Sequence, residues 1–266
     1  MRRALTYART FGGVIAQHSQ DSRLAGPGAC CHESEISGRL GLPGWPAQAE
    51  SAIIARDVEL AQLSGGRLHV CHVSTAESVD ILRWAKARGI PVTAEVTPHH
   101  LFLDTAHVQS FDTTFKVNPP LRTSEHIEAL RDALADGTID MVGTDHAPHA
   151  SQDKDHPFDV ASPGMLGLET ALGVVMDTMV ASGRLDWAQV ADRMSTAPAA
   201  LTRSGTQGQG LGVGEPANFV LIDPERRATV DRSASASLSR NNPWHGLNLP
   251  DPVELTVWGG RVTHRR

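Results

Sequence analysis

The sequence predicts an α/β fold, an incomplete TIM-type (β/α)8 barrel followed by a small C-terminal β-sandwich segment. Short apolar runs alternate with helix-period segments up to about residue 204, and this repetition implies a parallel sheet covered by helices. Beyond 205 the pattern changes to short strands parted by Pro, Gly and Asn turns. A complete barrel takes ~250 residues, about 31 per βα unit. Residues 1–204 hold too few units for closure, and the first three are expected to be missing.

Gly12 to Ala16 reads as a buried strand ending at Gln17-His18. Apolar residues at Ala49, Ala52, Ile53, Val58, Leu60 and Leu63 predict a helix over 47–63, stopped by Gly65-Gly66. Leu68 to Val73 is the next strand. Ser74-Thr75-Ala76-Glu77 supplies a cap and an early acid for a helix to Ala87, closed by Gly89. Strands are expected at 91–96, 115–117 and 139–143, with helices at 124–135, 167–181 and 187–201. Residues 205–266 form the second unit, with strands at 217–222, 228–230 and 253–258 and a Gly259-Gly260 hairpin.

Composition narrows the function classes. Twenty-four Lys+Arg against 30 Asp+Glu give a net charge of −6, which argues against nucleic acid or an anionic membrane as a partner. No run approaches the ~18–20 apolar residues that span a bilayer. Met1-Arg2-Arg3 is not followed by the apolar segment of a secretory signal. Three cysteines without a CxxC fit a reducing compartment, so the expected location is cytoplasmic. The 13 histidines raise the question of a metal.

Asp21, His72, His100 and Asp145 each fall at or just past the end of a predicted strand. In a parallel barrel those ends open onto one face, where catalytic groups converge. Two imidazoles and two carboxylates suit Zn²⁺ or Mn²⁺. One histidine at a strand end is ordinarily a loop hydrogen-bonder; the recurrence in four of five strand units carries the reading. Arg122 reads as a surface arginine before a helix.

Six segments resemble the dihydroorotases of the amidohydrolase superfamily: His18-Ser19-Gln20-Asp21, His72-Val73-Ser74-Thr75, Glu95 to Leu101, Lys116 to Arg122, Thr144 to His149 and Gly167-Leu168-Glu169-Thr170. The likeness is to the bacterial type I branch, with Asp21 matched to the aspartate that replaces a carboxylated lysine. It implies a metal-dependent hydrolase that interconverts dihydroorotate and N-carbamoyl-L-aspartate in pyrimidine biosynthesis, with one or two Zn²⁺ per chain. Asp21 would bridge the metals, His72 and His100 complete the more exposed one, and Asp145 ligate the buried one and shuttle protons. Asn118, His149 and the backbone of Pro163-Gly164 would contact substrate. His99 would orient the site from behind, although the choice between His99 and His100 stays open. The family opens with an HxHxR motif that these 266 residues do not contain, so impaired activity is expected. The rivals are an allantoinase- or hydantoinase-like enzyme and a non-catalytic relative that binds aspartate transcarbamoylase. A second copy of the chain is the other partner left open.

Overall fold

The computed structural model describes residues 1–266. Helix α1 (Arg2–Arg9) leads into β1 (Val14–Gln17), α2 (Ser22–Ala25), β2 (Cys31–His32), α3 (Glu35–Leu40), β3 (Gly44–Trp45) and the long α4 (Gln48–Ser64). Then come β4 (Arg67–Val70), α5 (Ala76–Ala87), β5 (Val92–Val96), α6 (Pro98–Phe102), α7 (Ser124–Asp136) and β6 (Met141–Val142). Four shorter helices follow: α8 (Ser151–Lys154), α9 (Ala171–Val175), α10 (Trp187–Ala191) and α11 (Ala197–Thr202). Strands β1-β4-β5-β6 form one parallel sheet in that order, with Ala16 opposite His69, His69 opposite Thr93, and Glu95 opposite Met141.

Period-two alternation sorts the sheet's side chains. Leu68 and Val70 on β4, with Val92, Ala94 and Val96 on β5, enter the main core. There they meet Leu5 of α1, Ile54, Val58 and Ala61 of α4, and Val79, Leu82 and Ala85 of α5. Each fully buried aliphatic side chain contributes roughly 1.5–3 kcal/mol. The intervening residues His69, Thr93 and Glu95 face the other side, which would be the inside of a closed barrel. Local signals set the helix ends as expected. Gly65 adopts the left-handed φ of 64° and its N–H closes α4 on the Ala61 carbonyl, while Thr75 caps α5 by accepting from the Ser78 N–H.

Three expectations change. Residues 115–117 form no strand: Asp112 accepts from the Thr114 N–H and caps a 3₁₀ turn over Thr113–Phe115. Pro119 and Pro120 lack the N–H groups a ladder needs. The sheet therefore has four strands, so an eight-stranded barrel lacks four rather than three. The helix expected from 167 starts at Ala171, because the Gly167 and Leu168 amides both donate to His146 Nδ1 and hold a turn. Arg122 is 1% exposed, not a surface group.

The C-terminal part contains β7 (Phe219–Ile222), β8 (Arg227–Thr229), β9 (Asn248–Pro250), β10 (Val253–Trp258) and β11 (Arg261–Arg265). One antiparallel sheet runs β11-β10-β7, and β8 pairs with β9. Gly259 and Gly260, both at positive φ, turn the β10–β11 hairpin. This segment is anchored to the barrel portion by Trp244, which is buried in a cluster with Leu103, Val117, Leu121, Met165 and Val174. Its ring meets Phe102 edge-on at 5.3 Å. No helix is long and apolar enough to cross a membrane.

Candidate active site

The ends of β1 and β4 lie side by side, and the Cys71 N–H continues the ladder onto the Gln17 carbonyl at 3.0 Å. His18 and His72 follow directly. Their Nδ1 and Nε2 atoms, respectively, stand 2.9 Å apart. His72 has φ 35°, and Asp145, past the end of β6, has φ 45°. Non-glycine residues in the left-handed region are uncommon, and such strain concentrates at functional sites. Four non-glycine residues lie there, His72, Asp145, Phe111 and Arg203, and the first two are residues that the sequence had singled out.

The pair sits in a hydrogen-bonded relay. His18 Nε2 lies 2.7 Å from Gln20 Oε1, and the same oxygen accepts from Asn118 Nδ2 at 3.1 Å. Gln20 and Asn118 line one cavity of ≈ 350 Å³ together with Pro163, Trp45 and Lys116. Burial and the neighbouring His18 push the His72 imidazole below its ordinary range, against the pull of the Asp145, Glu50 and Glu95 carboxylates. Burial also raises the Cys71 thiol to about 11, with Glu95 and Asp145 adding to the effect. Asp145 itself is solvent-exposed and within electrostatic reach of both groups.

A second cluster forms around Pro163 and Gly164. His149 Nε2 lies 3.0 Å from the Pro163 carbonyl. A side chain on Gly164, at φ 141°, would strike His149 Nε2 at 2.6 Å, so glycine is required for this approach. The Gly164 carbonyl accepts from Lys154 Nζ at 3.0 Å and Asn241 Nδ2 at 3.1 Å. Burial lowers the Lys154 ammonium to about 8. Three candidate substrate contacts, His149, Pro163 and Gly164, are thus brought together, and Pro163 shares its cavity with Asn118.

Two of the expected metal ligands are placed elsewhere. The Asp21 side chain caps α2, its Oδ1 accepting from the Arg23 and Leu24 N–H groups at 2.9 and 3.2 Å. His100 is 1% exposed and both ring nitrogens are engaged, Nδ1 with Thr97 Oγ1 at 2.7 Å and Nε2 with the Pro119 carbonyl at 3.1 Å. His100 cannot bind an ion without giving up one of those bonds, and Asp21 Oδ1 is engaged at the helix cap. Next to it, His99 keeps a buried Nε2 with no partner, and burial drives that ring down to about 3. The histidine passed over is His18. The rule that selected His72, a histidine at the end of a parallel strand, applies equally to His18, but a carboxylate three residues later was preferred.

Two imidazole nitrogens at 2.9 Å, with an aspartate nearby, suit a divalent cation of borderline hardness. His72 Nδ1 is buried and has no hydrogen-bond partner. Beneath this pair, donor atoms of His69, Cys71 and Glu95 lie within 4.8 Å of one another on the sheet's inner face.

Comparison with known proteins gives the family of the chain. The model of the amidohydrolase family fits residues 49–263, and the dihydro-orotase-like model fits residues 1–78. The dihydroorotase of Streptomyces coelicolor is 56% identical over 263 residues, covering 99% of this chain and 61% of that protein. The dihydroorotase of Mycobacterium tuberculosis is 52% identical over 265 residues, again 61% of its length. The chain therefore spans about 61% of the length of these curated relatives. Among solved structures, the L-hydantoinase from Arthrobacter aurescens superimposes with TM-score 0.89 at 27% identity over 99% of this chain and 60% of that one. The D-hydantoinase from a Thermus species gives 0.88 at 26% over 99% and 59%. Such membership implies a metal cofactor. By the family model that spans residues 49–263, most of its length, the chain belongs to the amidohydrolase family.

Proposed function

We propose that this chain carries the second half of a dihydroorotase active site, for the reversible conversion of dihydroorotate to N-carbamoyl-L-aspartate. The observation that carries the reading is the His18–His72 pair at the ends of adjacent parallel strands. The 52–56% identity to dihydroorotases supports that substrate over hydantoin or allantoin. The presence of His18, His72 and Asp145 at the strand ends speaks against a purely non-catalytic role as a partner of aspartate transcarbamoylase.

His18, His72 and Asp145 would hold the metal, and zinc suits this donor set. When bound, such an ion polarises a carbonyl and makes hydroxide accessible near neutral pH, from a water pKa of 15.7 to about 7. Asp145, exposed at the rim, takes a proton from the attacking water and delivers it to the departing ring nitrogen. The reverse transfers close the ring. Asn118 and His149, with the Pro163-Gly164 backbone, orient the cyclic imide from the opposite wall. Residues 1–204 supply this machinery, and residues 205–266 buttress it through Trp244.

These 266 residues contain no HxHxR motif, and with a four-stranded sheet the chain alone is expected to turn over slowly. The test is ring closure of N-carbamoyl-L-aspartate by the purified chain loaded with zinc, beside hydantoin and allantoin hydrolysis. Low turnover confined to dihydroorotate chemistry supports the reading; faster hydrolysis of hydantoin or allantoin overturns it.

A further inference from the structure

The turn that follows His72 is held from two sides by a buried ion pair that none of the chemistry above uses. Glu50, in the first turn of α4, is 3% exposed, and Arg122, on the loop before α7, is 1% exposed. Glu50 Oε1 accepts from the Ser74 N–H at 3.0 Å, the Thr75 N–H at 3.2 Å, the Thr75 hydroxyl at 3.2 Å and the Ser78 hydroxyl at 2.7 Å. Its Oε2 accepts from the Ser74 hydroxyl. Arg122 Nε donates to that same hydroxyl oxygen at 3.0 Å, and its Nη1 donates to the Trp45 carbonyl at 3.1 Å. The two charges face each other across the serine, with Nη2 3.9 Å from Glu50 Oε2.

This arrangement is costly in isolation. A carboxylate and a guanidinium are both withdrawn from water, and a buried pair of this kind is weak evidence for stability. What it does accomplish is local. Before the turn, the Cys71 amide is bound to the Gln17 carbonyl, and beyond it the Val73 amide to the Glu95 carbonyl. His72 lies between these two fixed points in the left-handed conformation, and the chain resumes at Ser74 and Thr75, the two residues whose amides Glu50 holds.

We propose that Glu50, backed by Arg122, is a positioning residue that holds the 73–75 turn so that His72 is kept in its strained conformation and aimed at His18. This rests on the reading of the His18–His72 pair as metal ligands. Supporting groups that orient a ligand commonly change metal affinity by about 10–100-fold when removed.

The test uses the full 266-residue chain and cobalt(II) as a spectroscopic probe, with amide hydrogen exchange as a readout that needs no metal. Glu50→Gln keeps the shape but replaces one acceptor oxygen with a donor. It is expected to weaken cobalt binding by about 10–100-fold and to speed exchange at the Ser74 and Thr75 amides. Leu82→Ala, a core truncation away from the turn, serves as the control and is expected to leave cobalt affinity unchanged. Should Glu50→Gln fail to fold, Ser74→Ala removes the hydroxyl shared by both charges and is expected to shift both readouts in the same direction. Unchanged affinity and unchanged protection in the folded variant overturn the proposal, as does an equal loss of affinity in Leu82→Ala. If the unmodified chain binds no cobalt, the metal reading fails on its own. The exchange data then still decide whether Glu50 holds the turn.

Discussion

His18 Nδ1 and His72 Nε2 stand 2.9 Å apart across the ends of two neighbouring parallel strands. The sequence separates them by 54 positions, and the pairing of β1 with β4, Ala16 opposite His69, brings the two strand ends together. A metal held there needs both rings. His18→Asn and His72→Asn should each abolish tight zinc binding, measured by competition with a chromophoric chelator. Asp21→Ala should leave zinc affinity intact and cost about 0.5–2 kcal/mol in urea unfolding, the usual loss of a helix cap.

Gln20 joins the histidine pair to the candidate substrate wall through one oxygen shared by His18 Nε2 and Asn118 Nδ2. An acceptor at Nε2 keeps the proton there and leaves the Nδ1 lone pair directed at His72. Gln20→Leu removes that acceptor. Zinc affinity should fall by about tenfold or more, with the unfolding midpoint little changed, in paired chelator and urea titrations.

Much of this architecture was legible in the sequence, for physical reasons. Period-two runs at 68–73 and 91–96 and the cap at Ser74-Thr75 are local signals, and the strands and α5 form where those signals lie. His72 and Asp145 stood out because position after a strand is also a local property. What spacing does not show is side-chain direction. Asp21 follows β1 closely enough to look like a ligand, and its Oδ1 accepts from the amides of Arg23 and Leu24, a cap invisible in the spacing alone. His100 likewise is turned away by Thr97 and the Pro119 carbonyl. Arg122 resembles any arginine before a helix until Glu50, from an element 72 positions earlier, is folded against it.

Asp145 is the group expected to move protons. Asp145→Asn should lower turnover by about 10²–10⁴-fold relative to the unmodified chain, the usual range for lost general acid–base catalysis. The assay is N-carbamoyl-L-aspartate cyclisation at saturating zinc. A rate within threefold of the unmodified chain, or thereabouts, would remove Asp145 from this role.

Acid should unfold the chain in a window set by its buried histidines. Burial, then Arg122 and His126, lower His32 from 6.5 to about 4, and burial lowers His99 from 6.5 to about 3. Between pH 6.5 and those values the unfolded chain binds protons that the folded chain excludes, so stability rises with pH there and is lost on acidification. Urea midpoints should hold near pH 7.5 and drop steadily from pH 6.5 toward 4. Replacing His32 with Gln should flatten part of that slope.

The C-terminal segment is expected to be integral to the fold. Trp244 is 1% exposed and packs on Phe102. Trp244→Ala should destabilise by about 3–5 kcal/mol. Under thermal unfolding, one shifted transition is expected; an unshifted main transition would mean that 205–266 folds independently of the barrel portion.

X-ray absorption at the zinc edge of the loaded chain is the most direct measurement of the central claim. The account predicts two imidazole nitrogens at about 2.0–2.1 Å with an oxygen donor and no sulfur, and loss of the imidazole signature in His18→Asn. A sulfur scatterer at about 2.3 Å, which would place the ion on Cys71, or an unchanged spectrum in His18→Asn, would contradict it.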